Sequence, residues 1–177
     1  MQVGTTTNWK TVAAGGYHTL AIRQDGTLWA WGQNTLGQLN MCGYTNLLTP
    51  TQIGAANTWQ YVAAGYLFSM RLQVDGSGWT WGSAAYGQLG LGAGPQHTPA
   101  QVMPATWRSV TTGHNFTLAI RQDDTLWAWG YNYSRQLGLG TTITQATPMQ
   151  VGTATWQSVA AGYAHAVAIR QDGTLWA

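Results

Sequence analysis

Charge is what this sequence has least of. Only 7% of its 177 residues are charged, against about 25% in ordinary soluble domains. One Lys, six Arg and five acids leave a formal net charge of +2. A nucleic-acid footprint needs clustered Lys and Arg, so no nucleic acid is expected as a partner. A pI near 8.9, set by so few groups, does not alter that. Cysteine is nearly absent: Cys42 stands alone, which excludes an internal disulfide and supplies no zinc-binding set. There is no run of about eighteen apolar residues, the length a membrane-spanning helix needs, so no membrane is expected as a partner either. The polar opening from Met1 to Lys10 has no basic end followed by an apolar stretch and does not read as a signal peptide. The chain is expected to be soluble, with its compartment left open.

What is present is aromatic and repetitive. Apolar residues make up 45%, and eleven Trp with eight Tyr supply large areas to bury. Low charge therefore does not imply disorder; Gln, Thr, Asn, Ser and backbone must form the polar surface. Trp9, Trp59, Trp107 and Trp156 recur at steps of 50, 48 and 49. Gly15, Gly65, Gly113 and Gly162 keep the same steps, as do the pairs Asp25-Gly26, Asp75-Gly76, Asp123-Asp124 and Asp172-Gly173. Three markers sharing one period define four copies of one unit, with bounds near 2–51, 52–100, 101–149 and 150–177 inside a single domain, 1–177.

Each unit reads as four short strands. In the first copy these are Lys10 to Ala14, Thr19 to Arg23, Thr27 to Trp31 and, after Pro50, Thr51 to Ile53. Asp25-Gly26 suits the two-residue hairpin turn that needs positive φ. A loop rich in Gly and Asn is expected from Gly32 to Thr49. No segment shows helical periodicity over three turns, so the fold class is all-β. Leu28-Trp29-Ala30-Trp31 is apolar on both faces, which predicts a sheet covered on both sides. A constant period near 49 points to sheets stacked around an axis: a β-propeller of four-stranded antiparallel blades, four per chain.

The text Val12-Ala13-Ala14-Gly15-Gly16-Tyr17-His18-Thr19-Leu20-Ala21-Ile22, followed by Asp25-Gly26-Thr27-Leu28-Trp29-Ala30-Trp31-Gly32, resembles the regulator of chromosome condensation repeat. Gly87-Gln88-Leu89-Gly90-Leu91-Gly92 and Gln136-Leu137-Gly138-Leu139-Gly140 add to the likeness, which covers essentially the whole chain. Two places depart from it: Gln38-Leu39-Asn40-Met41-Cys42-Gly43 breaks the glycine pattern, and Asp124 replaces a hairpin glycine. The resemblance implies a propeller, most often seven-bladed. It implies less about function, because one fold hosts many. The founding member is a nucleotide exchange factor for a nuclear GTPase and binds chromatin. This sequence shows no inserted wedge hairpin, few acids to face a GTPase and few bases for DNA.

Candidate chemistry is thin. His18 and His165 occupy the place filled by Phe68 and Phe116 in the other copies, so a packed ring is expected there rather than a metal ligand. His114 lies in a loop and suits a contact; His97, between Pro95 and Pro99, is expected in solvent. Asp25, Asp75, Asp123 and Asp172 are explained by their turns. Arg23, Arg121 and Arg170 precede those turns and are expected to pair across the hairpin strands. No nucleophile elbow and no assisted acid pair is recognisable, so neither enzymatic activity nor a cofactor or metal is expected.

Variation between copies is sharpest in the loop after each first strand: Gly16-Tyr17, Tyr66-Leu67, His114-Asn115 and Tyr163-Ala164. Loops at one end of a propeller form a joint face, and Tyr with Asn suits contacts. The termini supply a second expectation. Gln2-Val3-Gly4 matches the fourth-strand text Gln52-Ile53-Gly54, while the sequence ends inside a third strand at Leu175-Trp176-Ala177. Gln2 and Val3 could pair beside Leu175 and Trp176, closing a ring within one chain or between two chains head to tail, with a homodimer preferred. The leading expectation is thus a non-enzymatic scaffold that binds a protein partner of unknown identity and assembles with itself. A structural or engineered assembly without a ligand, a guanine-nucleotide exchange factor and a carbohydrate-binding propeller stay open.

Overall fold

The computed structural model describes residues 2, 3, 5, 7–41, 43–92, 94 and 96–177; Met1, Gly4, Thr6, Cys42, Ala93 and Pro95 lie outside the described residues. Among these residues there are strands and no helix. The strands are β1 (Trp9–Ala14), β2 (His18–Arg23), β3 (Leu28–Gly32), β4 (Leu47–Gln52), β5 (Trp59–Ala64), β6 (Phe68–Gln73), β7 (Gly78–Gly82), β8 (Gln96–Gln101), β9 (Trp107–Thr112), β10 (Phe116–Arg121), β11 (Thr125–Gly130), β12 (Gln145–Ala161), β13 (Ala166–Arg170) and β14 (Leu175–Trp176). They form antiparallel sheets of four, four and six strands, each in sequence order. The six-stranded sheet arises because β12 serves two neighbours. Its residues 145–155 pair with β11, and its residues 156–161 pair with β13.

The turn between second and third strands shows why the Asp pairs recur. Asp25 Oδ1 accepts hydrogen bonds from Thr27 N at 3.0 Å and Thr27 Oγ1 at 2.6 Å. The same hydroxyl accepts from Trp29 Nε1 at 3.0 Å. Asp75–Ser77–Trp79, Asp123–Thr125–Trp127 and Asp172–Thr174–Trp176 repeat the arrangement. The hydroxyl bond, chiefly, holds each of these carboxyls below the usual range. Asp124 adopts φ +65°, close to the +81° of Gly26, a conformation Asp tolerates better than most residues. In return its carboxylate meets Arg108 at 2.9 Å and accepts from Gln171 Nε2 at 3.0 Å. At Gly26 the same exchange is closed, since a Cβ would run into the Asn57 carbonyl.

The fourth strands are longer than expected, and the long loops correspondingly shorter. Pro50 lies inside β4, Pro99 inside β8 and Pro148 inside β12, rather than ahead of a strand. Each sits where the register with the neighbouring strand shifts, so its missing N–H breaks no regular ladder bond. His97 consequently belongs to β8, where it remains exposed beside the Tyr44 ring.

The core lies between successive units. Leu20, Ile22 and Leu28 of the first unit pack on Trp59, Val62 and Trp81 of the second. Met70 and Leu72 then meet Trp107, Val110 and Trp129, and Leu118, Ile120 and Leu126 meet Trp156 and Ala168. Trp81 and Trp129 are fully buried. Their indoles donate to the Gln38 carbonyl at 2.8 Å and the Gln88 carbonyl at 2.9 Å, each in the preceding unit. Trp31, which holds the same place in the first unit, is only half-buried, and none of the described residues seals its face. Among the described residues no strand closes the row into a ring: Gln2 and Val3 are exposed and lie in no strand, and β14 pairs with β13 alone.

Candidate functional site

The four variable loops come together. In each copy the loop follows a first strand, and the repeated meander returns it to the same end of its sheet. Backbone bonds join neighbours there. Gly16 N donates to the Gly65 and Tyr66 carbonyls, at 3.1 and 3.2 Å. Tyr66 N donates to the His114 carbonyl at 3.0 Å, and His114 N to the Tyr163 carbonyl at 3.2 Å. The rings follow the backbone. Tyr17 and Tyr66 meet edge to face with centroids 5.3 Å apart. Tyr66 stacks on His114 at 4.0 Å, and His114 leans on Tyr163 at 4.2 Å. Four aromatic side chains from four loops thus form one ladder.

The first copy reaches this ladder by a different residue. In the other three, the ring comes from the residue directly after the repeat glycine: Tyr66, His114 or Tyr163. In the first copy that residue is Gly16, where a Cβ would collide with the Tyr66 ring. The next residue, Tyr17, supplies the ring instead. Leu67 and Asn115 hold the equivalent place to Tyr17, and all three turn their carbonyls inward. They accept from Ser83 N, Tyr131 N and Gln33 N at 2.9, 2.9 and 2.8 Å. Ala164, at the same place in the last copy, is half-buried.

The ends of the ladder are open: Tyr17 is 58% and Tyr163 70% exposed. Tyr66 and His114 are half-buried between them. The hydrogen bond that Tyr66 makes with Tyr17, O to O at 3.3 Å, is the main reason its phenol is pushed above the usual range. Desolvation lowers His114, which favours its neutral ring in the stack.

Below the ladder lies a second layer of rings. His18, Phe68, Phe116 and His165 each pack under the glycine three residues before them; a Cβ on Gly65 would collide with Phe68 and one on Gly113 with Phe116. This explains the recurring glycine better than any turn requirement. His18 is 3% exposed, with Nε2 2.9 Å from Ser69 Oγ, and burial pushes its pKa down to about 4. His165 departs from the expected burial: it is exposed, and none of the described residues covers it. The arginines before the turns pair across strands with first-strand tryptophans, Trp9 with Arg23 and Trp156 with Arg170. Arg23 lies over Trp29 at 3.5 Å and Arg170 over Trp176 at 3.7 Å.

Two features have no counterpart among the expectations. The Gln38 and Gln88 carbonyls receive not only tryptophan indoles but also the hydroxyls of Ser69 at 2.7 Å and Thr117 at 3.0 Å. The recurrence of Gln38, Gln88 and Gln136 was the available signal, yet the acting group is backbone. Arg71 stands where other copies carry Ala21, Ala119 and Ala168. It is buried over the Trp59 ring at 3.4 Å, and burial pushes its guanidinium down to about 9. Among the described residues no group of three or more His, Cys, Asp or Glu is placed to hold a metal. No helix among them is long and apolar enough to cross a membrane.

Antiparallel four-stranded meanders that repeat along the chain and pack face to face, with their first loops gathered in a row, define a β-propeller repeat protein. The regulator of chromosome condensation (RCC1) repeat matches residues 25–72, 75–120 and 123–169, and a second form of the same repeat matches 9–38 and 107–136. The chain belongs to the regulator of chromosome condensation repeat family. Its fold is similar to that of yeast RCC1 (Prp20) bound to Kap60, with a TM-score of 0.85 and 24% identity over 98% of this chain and 44% of that one. Prp20p from Saccharomyces cerevisiae, described with its binding to Gsp1p and histones, gives 0.84 and 24% over 98% and 46%. Human WBSCR16 gives 0.81 and 24% over 90% and 44%. The chain spans less than half the length of each of these structures.

Proposed function

We propose that the chain is a non-enzymatic scaffold of four blades that binds a protein partner through the ladder of Tyr17, Tyr66, His114 and Tyr163. The fourth blade is the second half of β12 with β13 and β14. The observation carrying the binding reading is the convergence of four loops, each different between copies, into one continuous aromatic row. Aromatic side chains with polar edges are enriched where proteins meet. The non-enzymatic part is supported by the occupation of the titratable groups: the turn aspartates are bonded within their own hairpins, and His18 is held by Ser69. Self-assembly is a second part of the reading, with Gln2 and Val3 of one copy pairing beside Leu175 and Trp176 of another, head to tail.

Selection from a random peptide library on immobilised chain tests the binding reading, with a variant carrying Tyr17→Ser, Tyr66→Ser, His114→Ser and Tyr163→Ser as the counter-target. Peptides that bind the parent and not the variant are expected. Peptides that bind both equally, or hits on a glycan array instead, would overturn it. The exchange-factor reading draws on the likeness to Prp20p; nucleotide release from Gsp1p, unchanged when the chain is added, is the result expected here.

A further inference from the structure

The long loops carry aromatic rings that the ladder does not use. Each long loop follows a third strand, so it emerges at the same end of its sheet as the ladder loops. Tyr86 comes from the second unit, and Tyr131 and Tyr133 from the third. Tyr86 meets Tyr131 edge to face with centroids 5.0 Å apart, and Tyr131 leans on Tyr133 at 4.9 Å. Tyr131 N donates to the Asn115 carbonyl at 2.9 Å, which sets this second row beside the ladder.

Tyr86 and Tyr133 flank a cleft of about 400 Å³ between the two loops, with Leu89, Leu91, Thr144 and Ala146 in its walls. Local bonds hold its shape. Gly92 N reaches across to the Ala146 carbonyl at 2.9 Å, and Tyr86 N donates to Gln88 Oε1 at 2.8 Å. Asn132 Nδ2 donates to the Thr141 and Ile143 carbonyls at 3.0 and 3.1 Å. The second and third units both have all four strands and a unit on either side, so the cleft is interior to the row. Tyr133 is 71% exposed. Thr35 and Ala85, which hold its place in the earlier copies, are exposed too, although a complete unit follows each.

The lining selects its occupant. No charged side chain lines the cleft, and Asp25, Asp75, Asp123, Asp124 and Asp172 all lie in turns at the opposite end of the sheets. A charged segment would find no counter-ion there. Asn, Gln and Asp side chains, whose planar groups suit sugar hydroxyls, are absent from the lining as well. What remains is aromatic ring, aliphatic side chain and phenol. Among the described residues the one hydrogen bond from a phenol joins Tyr66 to Tyr17, so the Tyr86, Tyr131 and Tyr133 hydroxyls are available as donors. A polyproline II helix matches each of these features. It needs no charge, turns once in about 9 Å, seats its apolar edges between aromatic rings, and keeps its carbonyls free to accept.

We propose that the cleft between Tyr86 and Tyr133 docks an uncharged, proline-rich segment of a protein partner in the polyproline II conformation. The site lies outside the ladder but rests on the same reading of the chain as a protein-binding scaffold, and names one segment of that partner.

Fluorescence anisotropy with a labelled, uncharged peptide of prolines, with leucine at every third place, tests the site. The parent is expected to bind it. A peptide with glycine in place of the prolines should bind at least about tenfold more weakly, because it must be ordered on binding. Tyr86→Ala and Tyr133→Ala should each weaken binding at least about tenfold, with far-UV circular dichroism matching the parent. Tyr133→Phe should weaken it less, through loss of the hydroxyl alone. Tyr61→Ser, at an exposed tyrosine outside the cleft, should bind like the parent. A parent that does not bind overturns the proposal, as does equal binding of the glycine peptide or binding untouched by Tyr86→Ala and Tyr133→Ala. Tighter binding of an acidic peptide or a neutral oligosaccharide at the cleft would overturn it too. Loss confined to the four-serine ladder variant would move the segment to the ladder, which rejects the cleft and spares the binding reading. Library peptides held by the ladder while the proline peptide fails to bind would do the same.

Discussion

Trp81 and Trp31 hold the same place in successive copies, yet the structure treats them differently. Trp81 is fully buried, its indole donates to the Gln38 carbonyl, and the first unit closes over it. Trp31 is half-buried on a face that none of the described residues seals. His18 and His165 repeat the contrast, one sealed under Gly15 and the other exposed. Identical local sequence therefore yields different burial, and the difference is set by whether a neighbouring unit is present. In a repeat protein, stability resides in the contacts between units as much as within them.

The largest effect follows directly. Trp81→Ala should cost about 3–5 kcal/mol, the range for removing a buried large aromatic, with the Gln38 carbonyl keeping the Ser69 hydroxyl as its one remaining side-chain donor. Trp31→Ala should cost no more than about half of that, because part of its surface is already in water. Chemical denaturation of both variants checks the pair. Equal losses would erase the distinction between covered and uncovered faces.

A pH series sharpens the histidine contrast. Burial pushes the His18 pKa down to about 4, from the usual 6.5 of a solvated imidazole. The unfolded chain therefore takes up the proton first as pH falls. Stability contributed by the neutral, buried ring is complete above pH 6.5 and is lost as pH drops toward 4. The span corresponds to about 3 kcal/mol. His18→Phe, the residue of the second and third copies, should flatten the profile between those values. An unchanged profile would place the acid sensitivity elsewhere.

The smallest effect concerns the odd hairpin. Asp124→Gly removes the pair with Arg108, both side chains about one-third exposed, and restores a residue suited to positive φ. The two changes oppose each other, so thermal unfolding should shift by no more than about 1 kcal/mol in either direction.

Much of this was legible before any coordinates. The Asp-Gly turns, the strands on either side of them and the period near 49 come from local chemistry repeated four times, so each copy checks the others. The gathering of the loops at Tyr17, Tyr66, His114 and Tyr163 was legible as well, because antiparallel connection returns every such loop to one end. The ring contacts were not, since Gly16 and Tyr17 reach the ladder from a position shifted by one. Pro50 misled because a proline usually ends a strand, whereas here the register shift accommodates it. The roles of Gln38 and Gln88 were hidden for another reason: a backbone carbonyl leaves no mark on residue type. Arg71 was hidden too, since its burial depends on the Trp59 ring beneath it.

The central claim is that recognition and stability are held by different residues, the ladder for one and the contacts between units for the other. Its most direct test measures peptide affinity and thermal unfolding together on one variant, Tyr66→Ser with His114→Ser. The ring contacts it removes contribute about 0.5–1.5 kcal/mol each. Peptide binding is expected to fall at least about tenfold, equivalent to 1.4 kcal/mol, while the loss of stability stays below that of Trp81→Ala. Retained binding, or a loss of stability as large as that of Trp81→Ala, would contradict the account.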